Sequence, residues 1–312
     1  MKNNNYQQLT RTFQRLSRFS HLSAIASWDM FTMMPPGGSA ARGEALAEMS
    51  VLQHQILTDK KVGEWLAAAA DEDLNDVEQA NLREMTRHYQ QATLLPESLV
   101  EAKSLAGNRC EHAWRTQRPA NDWQGFSANL KEVVKLSREE ARLRAEAKGC
   151  TPYDALLDIF EPDMTSARLD VLFGDLKSWL PELLAKVVEK QAQRSFVPPQ
   201  GPFPTATQRE LGLEAMKMLG FDFNGGRLDV SAHPFCGGVP EDVRITTRYD
   251  EDELLSALFG VIHETGHARY EQNLPRAWAG QPVALARSTA IHESQSLFFE
   301  MQLGRSDAFL KH

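Results

Sequence analysis

The stretch LLSALFGVIHETGHARY, residues 254–270, decides how this chain folds and what it can bind. Its run of apolar residues predicts a broadly buried helix. His263 and His267 stand four residues apart, so a helix presents both imidazoles on one face, where they can bind one metal ion. Glu264 is placed to hold a water molecule beside that ion. The string predicts zinc-assisted hydrolysis, and the alternative is a pair of surface histidines with a solvated glutamate.

The residues around the two histidines add detail to this helix. Asp250 and Glu253 suit an N-cap followed by a capping-box carboxylate. Gly266 is unfavourable inside a helix relative to alanine, so its presence indicates that another group approaches closely. That group is either part of the metal site or a neighbouring helix, and the sequence leaves both open.

A third metal ligand has to come from elsewhere, because the metzincin pattern fails. That pattern requires Gly and His where this chain has Tyr270 and Asn273. The remaining common solution is a carboxylate from a second helix, which gives a site of two histidines and one glutamate with one open position. Glu293 fits this description, since it lies in a helix predicted from about 287 to 303, with Gly304 as its stop.

Three neighbours compete with Glu293 for that role. Glu271 shares a helix face with His267, and Glu300 lies two turns beyond Glu293. His292 is adjacent to Glu293, but neighbouring helix residues point about 100° apart, so only one of the two faces the metal. We favour Glu293 as the ligand. His292 is then a group that orients a ligand or faces the substrate, or a packed polar residue.

Two segments before the metal helix alternate polar and apolar residues with a period of two. They cover residues 228–235 and 242–249 and predict short strands, separated by a turn at residues 237–240. The spacing alone favours an ordinary hairpin that covers the core. The other interpretation is a sheet edge along which an extended peptide lies.

Several motifs together resemble the thermostable carboxypeptidase Taq family of zinc metallocarboxypeptidases. The resemblance extends from about residue 6 to residue 310 and includes Ser27-Trp28-Asp29 near the N-terminus. Its most specific motifs are His233-Pro234-Phe235, Asp242-Val243-Arg244-Ile245-Thr246, His263-Glu264-Thr265-Gly266-His267 and His292-Glu293-Ser294-Gln295. The order and gaps of these motifs are similar to those of the family, which makes the combination far more specific than any one of them.

The resemblance implies a fold and an activity. The fold is mostly α, a multi-helix, zincin-like metallopeptidase with a small antiparallel sheet beside a deep active-site groove. The activity is release of single amino acids from peptide C-termini, with broad specificity and poor action on C-terminal proline. Zinc is the implied metal, with cobalt, manganese or another divalent ion as alternatives.

The resemblance also implies roles for individual residues. The metal ligands match His263, His267 and Glu293, and the catalytic glutamate matches Glu264. The other two motifs line the active-site region in the family. They bring four further residues close to metal or substrate: His233, Asp242, Arg244 and Thr246.

One departure from the family concerns the later part of the chain. Family members continue past the third ligand into an arginine motif that resembles a clamp for the substrate carboxylate, and into a Gly-x-x-Gln-Asp-x-His-Trp motif. Neither is present here, so we expect a single helical metallopeptidase catalytic domain over residues 1–312, incomplete at its C-terminus. Arg244 is then the nearest cation for a terminal carboxylate. The alternative is a truncated, non-catalytic metal-binding or helical interaction protein.

Composition narrows the class of partners. Acidic residues outnumber basic ones by 42 to 34, a net charge of −8 that gives no basic footprint for nucleic acid. The three cysteines show no C-x-x-C spacing, which favours a reducing compartment. The N-terminus lacks the apolar run of a signal peptide, and no stretch approaches the roughly 18 apolar residues of a membrane span. We expect a cytoplasmic enzyme that acts on peptides with a free C-terminus, with a homodimer as an open option.

Apolar periodicity predicts helices along most of the remaining chain. They lie near residues 5–28, 40–56, 59–71, 75–91, 95–117, 122–148, 151–160, 166–193 and 206–219.

Overall fold

Helices make up most of the part of the chain before the metal-site motifs. The computed structural model describes residues 4–195 and 197–311. The predicted helices are present, with ends that differ from the predicted ones by a few residues. They are α1 Asn5–Thr32, α2 Ser39–Thr58, α3 Lys60–Ala69, α4 Asp76–Thr93, α5 Glu97–Gln117, α6 Trp123–Lys148, α7 Pro152–Phe160, α8 Ser166–Ala192 and α9 Thr205–Met218.

Local sequence sets several of these helix ends. Asn75 accepts hydrogen bonds from the amides of Val77 and Glu78, and the Glu78 carboxylate accepts one from the Asn75 amide. This capping box satisfies amides that the first turn of α4 leaves without partners. At the other end of α6, Gly149 has a φ of 67°, a left-handed conformation that glycine adopts at little steric cost.

Three strands form a small sheet between α9 and the metal-site helix. They are β1 Gly226–Val230, β2 Cys236–Val239 and β3 Asp242–Thr247, in the order β1-β3-β2. β1 runs parallel to β3, whereas β2 runs antiparallel to it. The predicted small sheet is therefore present, but it is mixed and not antiparallel as predicted.

Gly237 and Gly238, which predicted a turn at 237–240, allow close contacts within β2. Gly237 lies against the Trp28 ring, where an added Cβ would meet a ring carbon at 3.3 Å. Gly238 has a φ of 90°, and a Cβ there would meet the Asp242 carbonyl oxygen at 2.1 Å. A side chain would be tightly packed at Gly237 and is excluded at Gly238, while the backbone of both pairs with β3. Residues 237–239 of the predicted turn thus belong to β2, whereas Pro240 does lie in a turn.

An apolar cluster fixes the metal-site helix on this sheet. α10, Leu254–Gln272, packs against β3 and α9. The cluster contains residues from all of these elements, and its fully buried members include Met216, Ile245, Val261 and Ala268. The predicted capping box is wrong: α10 begins after Glu253 without a side-chain cap, and Asp250 Oδ1 accepts from the Asp252 amide instead.

The helix predicted over 287–303 consists of two parts. α11 spans Thr289–Leu297, and a π-helix follows over Phe298–Gly304. α12, Asp307–Leu310, is the last helix among the described residues. The Glu161 carboxylate fixes the start of α11 by accepting hydrogen bonds from Ser288 Oγ and the Ala290 amide.

α8 differs from the other long helices because its apolar side chains are exposed. Within the described part of the chain, none of its residues is buried. Its exposed large apolar residues are Val171, Leu172, Phe173, Leu176, Trp179, Leu180, Leu183, Leu184, Val187 and Val188. Among the helices described, none is long and apolar enough to cross a membrane.

Trp28 joins α1 to the sheet, and its replacement should destabilise the protein. Its side chain is 2% exposed, its Nε1 donates to Asp229 Oδ2 at 2.9 Å, and its ring packs on Phe235. Trp28→Phe loses the hydrogen bond and part of the packing, so we expect the free energy of unfolding to fall by about 2–4 kcal/mol. Chemical denaturation measures this.

Trp123 offers a matched control for that substitution. It begins α6 and is 65% exposed. Trp123→Phe should change the free energy of unfolding by no more than about 0.5 kcal/mol. Equal effects of the two substitutions would contradict the assigned role of Trp28.

Candidate metal centre

Three potential metal ligands converge where α10 meets α11. They are His263, His267 and Glu293. Each offers one ligand atom, and these three atoms lie within 4.8 Å of one another. His263 Nε2 is 3.7 Å from Glu293 Oε1, and His267 Nε2 is 3.4 Å from Glu293 Oε2. The four-residue spacing on α10 aligns the two rings, and α11 brings the carboxylate to both of them.

Gly266 permits this approach of the two helices. An added Cβ would lie 2.6 Å from Ser296 Cα and 2.7 Å from the Gln295 carbonyl oxygen. Both are backbone atoms of α11, so neither can move aside independently. Of the two interpretations left open by the sequence, the structure shows close packing against a neighbouring helix.

The rival residues lie behind the histidines. Glu300 Oε2 is 3.1 Å from His263 Nδ1, on the side of the ring away from Glu293. His292 Nδ1 is 2.7 Å from His267 Nδ1, and Glu271 Oε1 is 2.8 Å from His292 Nε2. Glu300 therefore contacts the Nδ1 atom of His263, and His292 contacts that of His267. Glu271 reaches His267 only through His292, while Glu293 faces the Nε2 atoms.

Glu264 lies beside the trio in a nearly water-free environment. Its side chain is 6% exposed, and its Oε2 is buried without a hydrogen-bond partner among the described residues. Burial, reinforced by the nearby Glu293 carboxylate, raises the pKa of Glu264 to about 7, although His263 opposes the shift. A carboxyl with a pKa near neutrality can both accept and donate a proton under physiological conditions.

The donor set fits a divalent metal. Burial, together with the nearby His292 and His263, lowers the pKa of His267 to about 4, so the ring is neutral near pH 7. A neutral imidazole has a free lone pair for a metal, and two imidazoles with one carboxylate form a common catalytic zinc set. The orphaned Glu264 oxygen also fits, because a general base next to such a site needs a free acceptor.

The other four predicted site residues occupy different environments. His233 lines a separate cleft of about 570 Å³ with Phe31 and Arg115. Arg244 Nε donates to Asp242 Oδ1 at 2.8 Å, and its Nη2 donates to Asp242 Oδ2. The two side chains therefore form an ion pair that uses two of the five N–H groups of Arg244.

Thr246 has an architectural environment. It is fully buried, and its hydroxyl accepts hydrogen bonds from Ser231 Oγ at 2.7 Å and from the Phe235 amide at 3.0 Å. These bonds fasten the loop between β1 and β2 to β3. The alternating pattern of the sequence could place Thr246 on a strand but could not separate a buried anchor from a substrate contact.

Arg305 is the residue near this centre that the sequence did not single out. Its Nη2 donates to Glu300 Oε1 at 2.7 Å, and its guanidinium lies 4.5 Å from the centre of the Phe259 ring. Burial alone would raise the pKa of Glu300, but the hydrogen bonds from Arg305 and His263 lower it overall. Only the five-residue spacing of Glu300 and Arg305 signalled this pair.

The raised pKa of Glu264 predicts a pH-dependent cost to the metal-free protein. The unfolded chain releases this proton near pH 4.5, whereas the folded chain keeps it until about pH 7. Stability therefore falls as pH rises through this window, by about 3 kcal/mol at most. Glu264→Gln removes that cost. In the presence of chelator, the melting temperature of the variant should exceed that of the wild type near pH 8, and the two should be equal near pH 4.5. A variant that melts below the wild type near pH 8 contradicts this account.

Comparison with known proteins places the chain in a family. The family model of the Carboxypeptidase Taq (M32) metallopeptidases matches residues 8–312. The chain belongs to the M32 family. That family of metallopeptidases implies a divalent metal, and the cluster at α10 and α11 is able to bind one.

Several M32 relatives resemble the chain over almost all of its length. Thermostable carboxypeptidase 1 of Thermus thermophilus is 38% identical, and the match covers 97% of this chain and 62% of the relative. Carboxypeptidase 1 of Bacillus subtilis is 35% identical, with 95% of this chain and 59% of the relative covered. This M32 chain thus spans about three fifths of the length of these relatives.

Solved structures confirm the mostly helical M32 fold. Metallocarboxypeptidase 1 of Trypanosoma cruzi superposes with a TM-score of 0.88 at 50% identity, over 98% of this chain and 62% of that one. The M32 carboxypeptidase of Deinococcus radiodurans gives 0.82 at 31% identity, over 98% of this chain and 61% of that one. The prediction of a helical metallopeptidase fold with a small sheet is confirmed in these respects.

Proposed function

We propose that this chain carries the metal centre of a zinc-dependent metallocarboxypeptidase that releases single amino acids from peptide C-termini. The observation that carries the proposal is the convergence of three ligand atoms within 4.8 Å of one another. Glu264, on the same helix, adds a buried acceptor without a partner among the described residues. Membership of the M32 metallopeptidase family supports the same reaction class.

His263, His267 and Glu293 are the proposed ligands. The two Nε2 atoms face the Glu293 carboxylate, so a zinc ion between them would have three protein ligands and an open position. Such an ion, when bound, supplies Lewis acidity toward the scissile carbonyl and acidifies water. Cobalt, manganese or another divalent ion remains an alternative to zinc.

Glu264 is the proposed general base. With a pKa of about 7, its carboxylate can take a proton from the attacking water and then donate that proton to the leaving amine. Its burial keeps bulk water from satisfying the carboxylate. His292 is proposed to orient His267, which its ring nitrogen contacts at 2.7 Å.

The substrate is proposed to be a peptide with a free C-terminus, with broad side-chain tolerance and poor release of proline. A terminal carboxylate needs a cation, and arginine offers a bidentate match. Arg244 is our candidate for this cation, since its two hydrogen bonds to Asp242 use two of its five N–H groups. A cytoplasmic location and a homodimer remain predictions.

Peptide cleavage by the zinc-loaded chain tests this proposal. An N-blocked peptide should lose residues one at a time from its free C-terminus, as followed by mass spectrometry. The same peptide with an amidated C-terminus should stay intact. Internal cleavage of both peptides would instead indicate an endopeptidase.

A second candidate function is a non-catalytic metal-binding or helical interaction protein. The exposed apolar side chains of α8 favour this alternative, because contiguous apolar patches often mark protein contacts. Zinc binding with no cleavage of either peptide would support the second candidate and contradict activity of this chain alone.

A further inference from the structure

Two carboxylates lie behind the metal-site histidines, on the side away from Glu293. Glu271 reaches His267 through the intervening His292, whereas Glu300 contacts His263 directly. Glu271 belongs to α10 and Glu300 to the π-helix that follows α11. Each histidine thus has its own carboxylate, and the two arrangements share no residue.

The hydrogen bonds of the first arrangement indicate which ring nitrogens carry the protons. An ionised carboxylate only accepts, so His292 Nε2 donates to Glu271 Oε1 across 2.8 Å. When the His292 ring carries this N–H alone, its Nδ1 is an acceptor. The proton in the 2.7 Å contact between the two Nδ1 atoms therefore belongs to His267. His267 Nε2 keeps its lone pair, and that atom faces Glu293.

In the second arrangement, no residue lies between the carboxylate and the histidine. Glu300 Oε2 accepts from His263 Nδ1 across 3.1 Å, and an imidazole with this single N–H keeps its lone pair on Nε2. Arg305 donates to the other Glu300 oxygen at 2.7 Å and packs on Phe259. These contacts hold the Glu300 carboxylate in place. Both histidines therefore present an unprotonated Nε2 toward Glu293.

We propose that Glu271, acting through His292, and Glu300 are positioning residues that fix the tautomer and orientation of the two metal-binding histidines. This proposal rests on the proposed function, because it concerns the same metal centre. Carboxylate partners of metal-bound histidines orient the ring and raise its basicity. Loss of either partner lets the proton move to Nε2, which removes the lone pair that the metal needs.

Zinc affinity tests the proposal through isosteric variants. Glu271→Gln and Glu300→Gln keep the side-chain size but remove the negative charge and replace one acceptor oxygen with a donor, which weakens the preference for the metal-binding tautomer. Each should weaken zinc binding by about 10–100-fold in a competition titration against a chromophoric chelator. The double variant should lose roughly the product of the two factors, since the arrangements are separate.

Glu253→Gln is the matched control. Glu253 is an exposed carboxylate at the N-cap of α10 without a side-chain capping bond. It should bind zinc like the wild type, and all metal-free variants should be compared by thermal melting. Wild-type zinc affinity in either Glu271→Gln or Glu300→Gln would overturn the proposal for that residue.

The wild-type protein provides a second test that does not depend on the folding of any variant. Long-range nitrogen–proton NMR of the metal-free chain, labelled with ¹⁵N at histidine, reports which ring nitrogen carries the proton. We expect His263 and His267 to be protonated on Nδ1, and protonation of either on Nε2 would overturn the proposal. A wild-type chain that binds no zinc refutes the proposed function, whereas the tautomers still decide the positioning roles.

Discussion

Glu264→Gln is expected to lower the rate of peptide cleavage by about 10²–10⁴-fold while leaving zinc content unchanged. The amide keeps the size of the side chain but cannot accept the proton of the attacking water. Glu264 interacts electrostatically with His263 and Glu293 but is not one of the three converging ligands, so its loss should not release the metal. The measurement is kcat on an N-blocked peptide, with zinc determined on the same sample.

Glu253→Gln is the control for this prediction. Glu253→Gln changes an exposed carboxylate at the start of the same helix and should cleave like the wild type. Wild-type turnover by Glu264→Gln would contradict its role as the base. Loss of zinc from that variant would show that Glu264 is needed for the metal site itself.

Gly266→Ala is expected to destabilise the protein and weaken zinc binding together. The added methyl would lie 2.6 Å from Ser296 Cα, inside any tolerable contact, so α10 and α11 must separate. Overpacking of this kind costs about 1–3 kcal/mol or more. Glu293 lies one turn before Ser296 on α11, so separation withdraws it from the histidines. We expect at least a roughly tenfold loss of zinc affinity, since ligand placement governs binding.

Gly260→Ala distinguishes crowding from a general effect of replacing glycine. Gly260 lies on the same helix, but its added Cβ would meet nothing closer than 3.9 Å. This variant should gain about 0.5–1 kcal/mol from helix propensity and bind zinc normally. Thermal melts and zinc titrations of both variants check the pair. Equal behaviour of the two variants would contradict the crowding account.

The helices were predictable because their information is local. Apolar periodicity and caps such as Asn75 repeat every few residues, and a single sequence contains them in full. The sheet was harder, because its pairing depends on distant contacts. Gly237 and Gly238 look like a turn in sequence, yet the Trp28 ring and the backbone around Asp242 require them within β2.

The metal centre was likewise predictable where its information is local and less so where it depends on distant contacts. His263 and His267 follow from one helical repeat, and the structure brings Glu293 to both, as the spacing had suggested. The sequence favoured Glu293 over Glu271 and Glu300 but left a full separation to the structure. That separation depends on how α11 and the π-helix cross α10, which is determined by contacts such as Gly266 against Ser296.

Zinc stoichiometry of the wild type and of Glu293→Gln tests the central claim most directly. Native mass spectrometry under a chelator competition sets the same free zinc concentration for both proteins. The account predicts about one zinc ion per wild-type chain and none in the variant, because Glu293 provides the third ligand. A Glu293→Gln chain that keeps one zinc ion with wild-type affinity would contradict the claim.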